Sequence, residues 1–122
     1  MGKSQQAKGR RSEIACRDFM RRVWPGAYRV GIQLHVRQPD IDGSPLWIES
    51  KASATTSGLH PWKALQQALR DRAANHALDR PILLYLKADR QPAMVLMLAD
   101  EWIEREAAAK LSDIFGKGES DE

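Results

Sequence analysis

The chain has 122 residues, 43% hydrophobic and 29% charged, which suits one globular domain with a modest core. No apolar run approaches the roughly 20 residues needed to cross a bilayer, and the polar, basic N-terminus lacks an apolar signal core, so a cytoplasmic location is expected. The single cysteine, Cys16, excludes an intramolecular disulfide and a Cys₄ or Cys₂His₂ zinc site, and reads as a small buried residue in reduced protein.

The net charge is only +3, but it is unevenly spread: residues 1–37 carry nine Lys or Arg against two acids, and residues 99–122 carry eight acids against three bases. A basic front of this kind suggests a polyanionic partner.

Residues 4–23 read as a helix, with Ala7, Ile14, Ala15, Phe19, Met20 and Val23 as its apolar stripe and Pro25-Gly26 ending it. Tyr28 to Val36 alternates Val30, Ile32, Leu34 and Val36 in the manner of a half-buried strand. A short run, Gln38 to Asp42, meets the turn Asp42-Gly43-Ser44-Pro45, and Leu46 to Lys51 resumes as a strand, so these two runs form a hairpin. Residues 52–59 are small and polar and are expected to form a mobile loop. A helix is predicted from His60 to Ala77, with Trp62, Leu65, Ala68, Leu69, Ala73 and Leu78 on its apolar side. Ile82 to Lys87 and Met94 to Leu98 read as strands, and Asp100 opens a last helix reaching Lys110. The order αβββαβ, followed by a strand and a helix, predicts an α/β fold with a central mixed sheet flanked by helices. A single domain over 1–115 and a disordered acidic tail over 116–122 are expected.

The chemistry concentrates in the hairpin. Alternate strand residues share a face, so Glu49 and Lys51 point the same way. With Ser44-Pro45 at the centre of the turn, Asp40 lies opposite Glu49, and Asp42 points to the same side as Asp40. Two carboxylates can hold Mg²⁺, which prefers oxygen ligands and keeps several waters. A neighbouring ammonium can orient or deprotonate a water and stabilise a phosphorane-like transition state. An isolated Glu-x-Lys triplet is common on exposed hairpins. Here the apolar Leu46-Trp47-Ile48 leads straight into the charged pair, and charges beside buried apolar residues are costly unless paired or coordinating.

In Pro39-Asp40, eight intervening residues, and Glu49-Ser50-Lys51, the sequence resembles the PD-(D/E)xK nuclease superfamily, more narrowly its small phage and bacterial members related to Holliday junction resolvases. The resemblance spans most of the chain, because αβββαβ is also the order of the restriction-endonuclease-like core. It implies Mg²⁺-dependent hydrolysis of DNA phosphodiester bonds, with Mn²⁺ able to substitute, by an endonuclease of phage or prophage origin acting on branched DNA. Asp40 and Glu49 would hold the metal and Lys51 would position the water. Asp40 is favoured over Asp42, which remains a second candidate ligand. The family often places a glutamate on its first helix, matched by Glu13, which could instead simply pair with Arg17. It also carries a glutamine on the helix after the lysine strand, matched by Gln67 in preference to Gln66. The spacing from Asp40 to Glu49 is short for the superfamily and demands a tight hairpin. Ser50 and Ala52 stand where relatives often have an apolar residue and a further base.

Lys3, Lys8, Arg10, Arg11 and His60 are candidate DNA contacts, and a chain this small would cut two strands most easily as a homodimer. The rival expectation is a non-catalytic nucleic-acid-binding domain on the same fold; a third is an interaction module whose basic helix meets an acidic protein. The four tryptophans, Trp24, Trp47, Trp62 and Trp102, read as core or interface residues.

Overall fold

A computed structural model describes residues 3–31 and 38–120, with side chains from residue 7 to residue 115. The elements are α1 (Lys3–Met20), β1 (Tyr28–Arg29), β2 (Ile41–Asp42), β3 (Trp47–Ser53), a 3₁₀ turn (Ser57–Leu59), α2 (Pro61–Ala74), β4 (Ile82–Ala88), β5 (Met94–Leu96) and α3 (Ala99–Ser120). They build an α/β fold around an open, mixed five-stranded sheet in the order β1-β2-β3-β4-β5. β1, β2 and β3 form an antiparallel meander. β3 and β4 run parallel, joined by the α2 crossover, and β5 returns antiparallel to β4. No helix among the described residues is long and apolar enough to cross a membrane.

β4 is apolar on both faces along most of its length and β3 at its start, the pattern of a sheet covered on each side. Trp47 on β3 and Ile82, Leu84, Leu86 and Ala88 on β4 pack with Ala64, Leu65 and Ala68 of α2. The alternate residues, Ile48 on β3 and Leu83 and Tyr85 on β4, pack with Cys16 and Met20 of α1 and with Ile41. Burying each large side chain contributes about 1.5–3 kcal/mol, so the β3–β4 pair is the backbone of the core.

Several elements differ from their predicted form. The first helix buries Ser12, Cys16 and Met20, spaced four apart; of the expected stripe Met20 is buried, whereas Phe19 and Val23 are exposed. Cys16 is fully buried, as the sequence suggests. On α2, Trp62 is exposed, as is Leu78 beyond its end, whereas Asp71 and Arg72 are buried. The predicted strand 28–36 is seen as the short β1; residues 32–36 lie outside the described residues. The loop expected at 52–59 is partly regular, since β3 continues to Ser53 and a 3₁₀ turn follows. The backbone of 116–120, expected to be disordered, continues α3, while 121–122 lie outside the described residues.

α3 is held at the start of β4. Glu101 accepts from Arg72 Nη1 at 2.6 Å and from the Ile82 N–H at 3.0 Å. Arg105 lies 5.0 Å from the centre of the Trp24 ring.

Candidate active site

The turn between β2 and β3 sets the register. Gly43 takes φ +87, a left-handed conformation that glycine adopts without strain. Its N–H is held by Asp42 Oδ1 at 2.8 Å. Ile41 then faces Ile48, both buried toward α1. The Asp40 N–H donates to the Ile48 carbonyl at 2.8 Å, which sets Asp40 across from Ile48–Glu49. β2 is only two residues long, so the ladder ends there, and the Asp40 side chain takes over: its Oδ2 accepts the Ser50 N–H at 2.9 Å.

Asp40 and Glu49 thus meet at the edge of the sheet, linked by a hydrogen bond between their carboxyls. Burial pushes the Glu49 carboxyl up to about 9, reinforced by the Asp40 charge and opposed by the bond from Trp47. Burial likewise raises Asp40; the Ser50 N–H opposes it, the Glu13 charge adds to it, and the Lys51 ammonium partly offsets it. The Trp47 indole N–H donates to Glu49 Oε1 at 3.0 Å, fixing the rotamer of the glutamate from the buried side. Lys51 itself is exposed, two residues along β3 from Glu49.

Around this pair the other sequence-predicted residues divide. Glu13 on α1 lies within electrostatic reach of Asp40, but it is paired with Arg29, which donates through Nε at 3.2 Å and Nη2 at 3.0 Å. Arg17, the alternative partner for Glu13, bonds Asp18 instead. Asp42 is not brought to the pair: Arg80 Nη2 binds its Oδ1 at 2.9 Å and ties it to the turn. Gln67 is half-buried, donating to Asp71 Oδ1 at 3.0 Å and accepting from Arg70 at 2.8 Å. Asp71 acts on Glu49 electrostatically and so belongs to the rim of the site. The sequence reading missed it, although it lies one helical turn beyond Gln67, the spacing that puts two side chains on one face.

Among the DNA-contact candidates, Arg10 and Arg11 are exposed and Lys8 forms an ion pair with Asp89 at 3.0 Å. The side chain of Lys3 lies outside the described residues. His60 is exposed, left-handed at φ 45, and leads into α2 without a side-chain cap.

The donor set suits a hard cation that keeps much of its water. Among the described residues, no group of three or more His, Cys, Asp or Glu side chains is arranged to hold a metal ion, so an all-protein cage is not offered. Two adjacent carboxylates match Mg²⁺, which is commonly bound through one or two acids plus phosphate oxygens. No protein-family description, curated protein or solved structure matches this chain.

Proposed function

We propose that the chain is a Mg²⁺-dependent endodeoxyribonuclease that hydrolyses phosphodiester bonds, with a preference for branched DNA. The observation that carries this reading is the Asp40–Glu49 pair, two acids held together in a partly buried site beside a lysine. Two like charges so placed are unstable without a proton or a cation between them. A divalent ion held by Asp40 and Glu49 would supply Lewis acidity toward a phosphate oxygen and toward water. Lys51 orients the attacking water and offsets charge building on the phosphate. Trp47 keeps Glu49 in its coordinating rotamer, and the Ser50 N–H does the same for Asp40. The exposed Arg10 and Arg11 of α1 hold the DNA backbone. The homodimer expected for two-strand cutting finds a surface on α3, where Leu111, Ile114 and Phe115 are exposed.

A non-catalytic DNA-binding domain is the second reading, favoured by one observation: Glu13 and Asp42 are both taken by arginines. One assay separates the two. Wild type and Lys51→Ala are incubated with linear duplex, single-stranded and four-way-junction DNA, with and without Mg²⁺. Metal-dependent cutting by wild type that Lys51→Ala loses by at least about a hundredfold supports the nuclease, this being the usual scale for a charge-stabilising group. Absence of cutting on every substrate, with DNA affinity unchanged in Asp40→Ala, supports the binding domain.

A further inference from the structure

On the α1 side of the molecule, an open cleft of about 460 Å³ lies between α1 and the loop after β4. Lys8, Arg11, Lys87 and Arg90 line it, four cations against one acid, Asp89. Asp89 is already matched by Lys8 at 3.0 Å, and Lys87 donates to the Ala88 carbonyl at 2.8 Å. Arg11 and Arg90 have no partner among the described residues, so the cleft carries uncompensated positive charge. Ser12 also lines it, and its buried hydroxyl has no hydrogen-bond partner. A buried hydroxyl without a partner costs about 1–3 kcal/mol unless something else completes it.

The position is also telling. The cleft includes Ala52 and Lys87, at the carboxyl ends of the parallel strands β3 and β4, the end at which open α/β sheets bind ligands. It approaches the acidic pair from the α1 side, where Glu13, next to Ser12, lies within electrostatic reach of Asp40.

The geometry points to this cleft as a second phosphate site, taking a phosphodiester of the same nucleic-acid strand a short distance from the one at Asp40 and Glu49. Arg11 and Arg90 provide the charge, and Lys8 and Lys87 the flanks. This rests on the nucleic-acid part of the proposed function but not on catalysis. A strand gripped here is fixed in register across the acidic pair, since phosphate contacts set position rather than sequence.

The test measures binding of a fluorescein-labelled single strand and a labelled duplex by anisotropy, in EDTA, over a series of salt concentrations. The variants are Arg11→Ala, Arg90→Ala, the double variant, and Lys110→Ala on the exposed face of α3 as a charge control. Each arginine should lower the slope of log affinity against log salt by about one, and the double variant should bind on the order of tenfold more weakly at 0.1 M salt. Lys110→Ala should match wild type. Equal affinity and slope in wild type and the double variant would overturn the site. So would saturable binding of inorganic phosphate that the double variant loses while its oligonucleotide affinity stays at the wild-type value, which would assign the cleft to a free anion. Because the readout is binding without metal, a failed cleavage assay leaves it standing, and a nuclease whose binding ignores Arg11 and Arg90 removes this inference and the Arg11 backbone contact, while the chemistry proposed at Asp40 and Glu49 stands.

Discussion

The carboxyls of Asp40 and Glu49 lie in hydrogen-bonding contact, and the Trp47 indole N–H holds Glu49 Oε1 at 3.0 Å. The pair is therefore a proton trap when no cation is present. Its chemistry follows from burial, which raises both acids.

This arrangement fixes the sign of the pH dependence of stability. Glu49 titrates near 4.5 in an unfolded chain and at about 9 in the folded one. A raised folded value means the folded state binds the extra proton. Its stabilisation is complete below about pH 4.5 and is lost as pH rises through about 9. In EDTA the unfolding free energy should fall from pH 5 to pH 9 by up to about 1.4 kcal/mol per pH unit, the limit for one proton. Asp40 acts in the same direction. Glu49→Gln should flatten the slope and be more stable than wild type at pH 8. Denaturant titrations at a series of pH values measure it; stability that rises with pH over this range would contradict the shared proton.

Divalent ions should reverse that penalty. A cation held by both acids displaces the proton, so affinity should increase with pH and binding should release about one proton. At a Mg²⁺ or Mn²⁺ concentration a hundred times the Kd, wild type should gain about 2.7 kcal/mol of stability. Asp40→Asn should gain almost none. Thermal melts with and without metal at pH 8, and calorimetry in two buffers of different ionisation enthalpy, read the two effects without reference to activity.

The pairing of Asp40 with Glu49 was legible in the sequence because it depends on local quantities: a four-residue turn and the two-residue repeat of a strand. The order of elements was legible for the same reason, since periodicity and turn residues are short-range signals. What escaped depends on long-range partners. Asp42 shares the strand parity of Asp40, but Arg80, distant in sequence, claims it. Glu13 has Arg17 at the favourable helical spacing, yet Arg29 on β1 binds it through two nitrogens. The stripe of α1 differs from the expected one because a serine and a cysteine are buried with Met20, while Phe19 meets Tyr85 at the rim and Val23 is exposed. Trp47 and Asp71 carried signals that were there to use: Trp47 shares a strand face with Glu49, and Asp71 a helix face with Gln67.

The turn that sets this register should be intolerant of a side chain at one glycine. A Cβ on Gly43 would lie 2.6 Å from the Gly26 carbonyl oxygen and 3.0 Å from Ala27 Cα, both backbone atoms, in a left-handed conformation at φ +87. Gly43→Ala should cost about 1–3 kcal/mol. Gly26→Ala, with nothing within 4 Å of its Cβ, should change stability by less than about 0.5 kcal/mol. Denaturant midpoints of the two variants make the comparison; equal midpoints would mean the turn is free to rearrange and does not fix Asp40 opposite Glu49.

The attachment of α3 includes a partly buried ion pair, Arg72 to Glu101 at 2.6 Å, with side chains 8% and 20% exposed. Arg72 Nη1 also donates to the Arg80 carbonyl at 3.0 Å, and Glu101 also accepts from the Ile82 N–H, so the pair ties α2, α3, β4 and the loop before β4 together. Removing one partner leaves the other desolvated and unmatched, which typically costs about 3–5 kcal/mol. Arg72→Ala and Glu101→Ala should each fall in that range, and the double variant should lose less than the sum of the two. Because the rest of α3 is largely exposed, the singles should also open α3 to protease before the sheet unfolds. Limited proteolysis followed by mass measurement locates the first cut. Cleavage starting in β3 or β4 rather than in α3 would show that the pair stabilises the sheet itself and not the docking of the last helix.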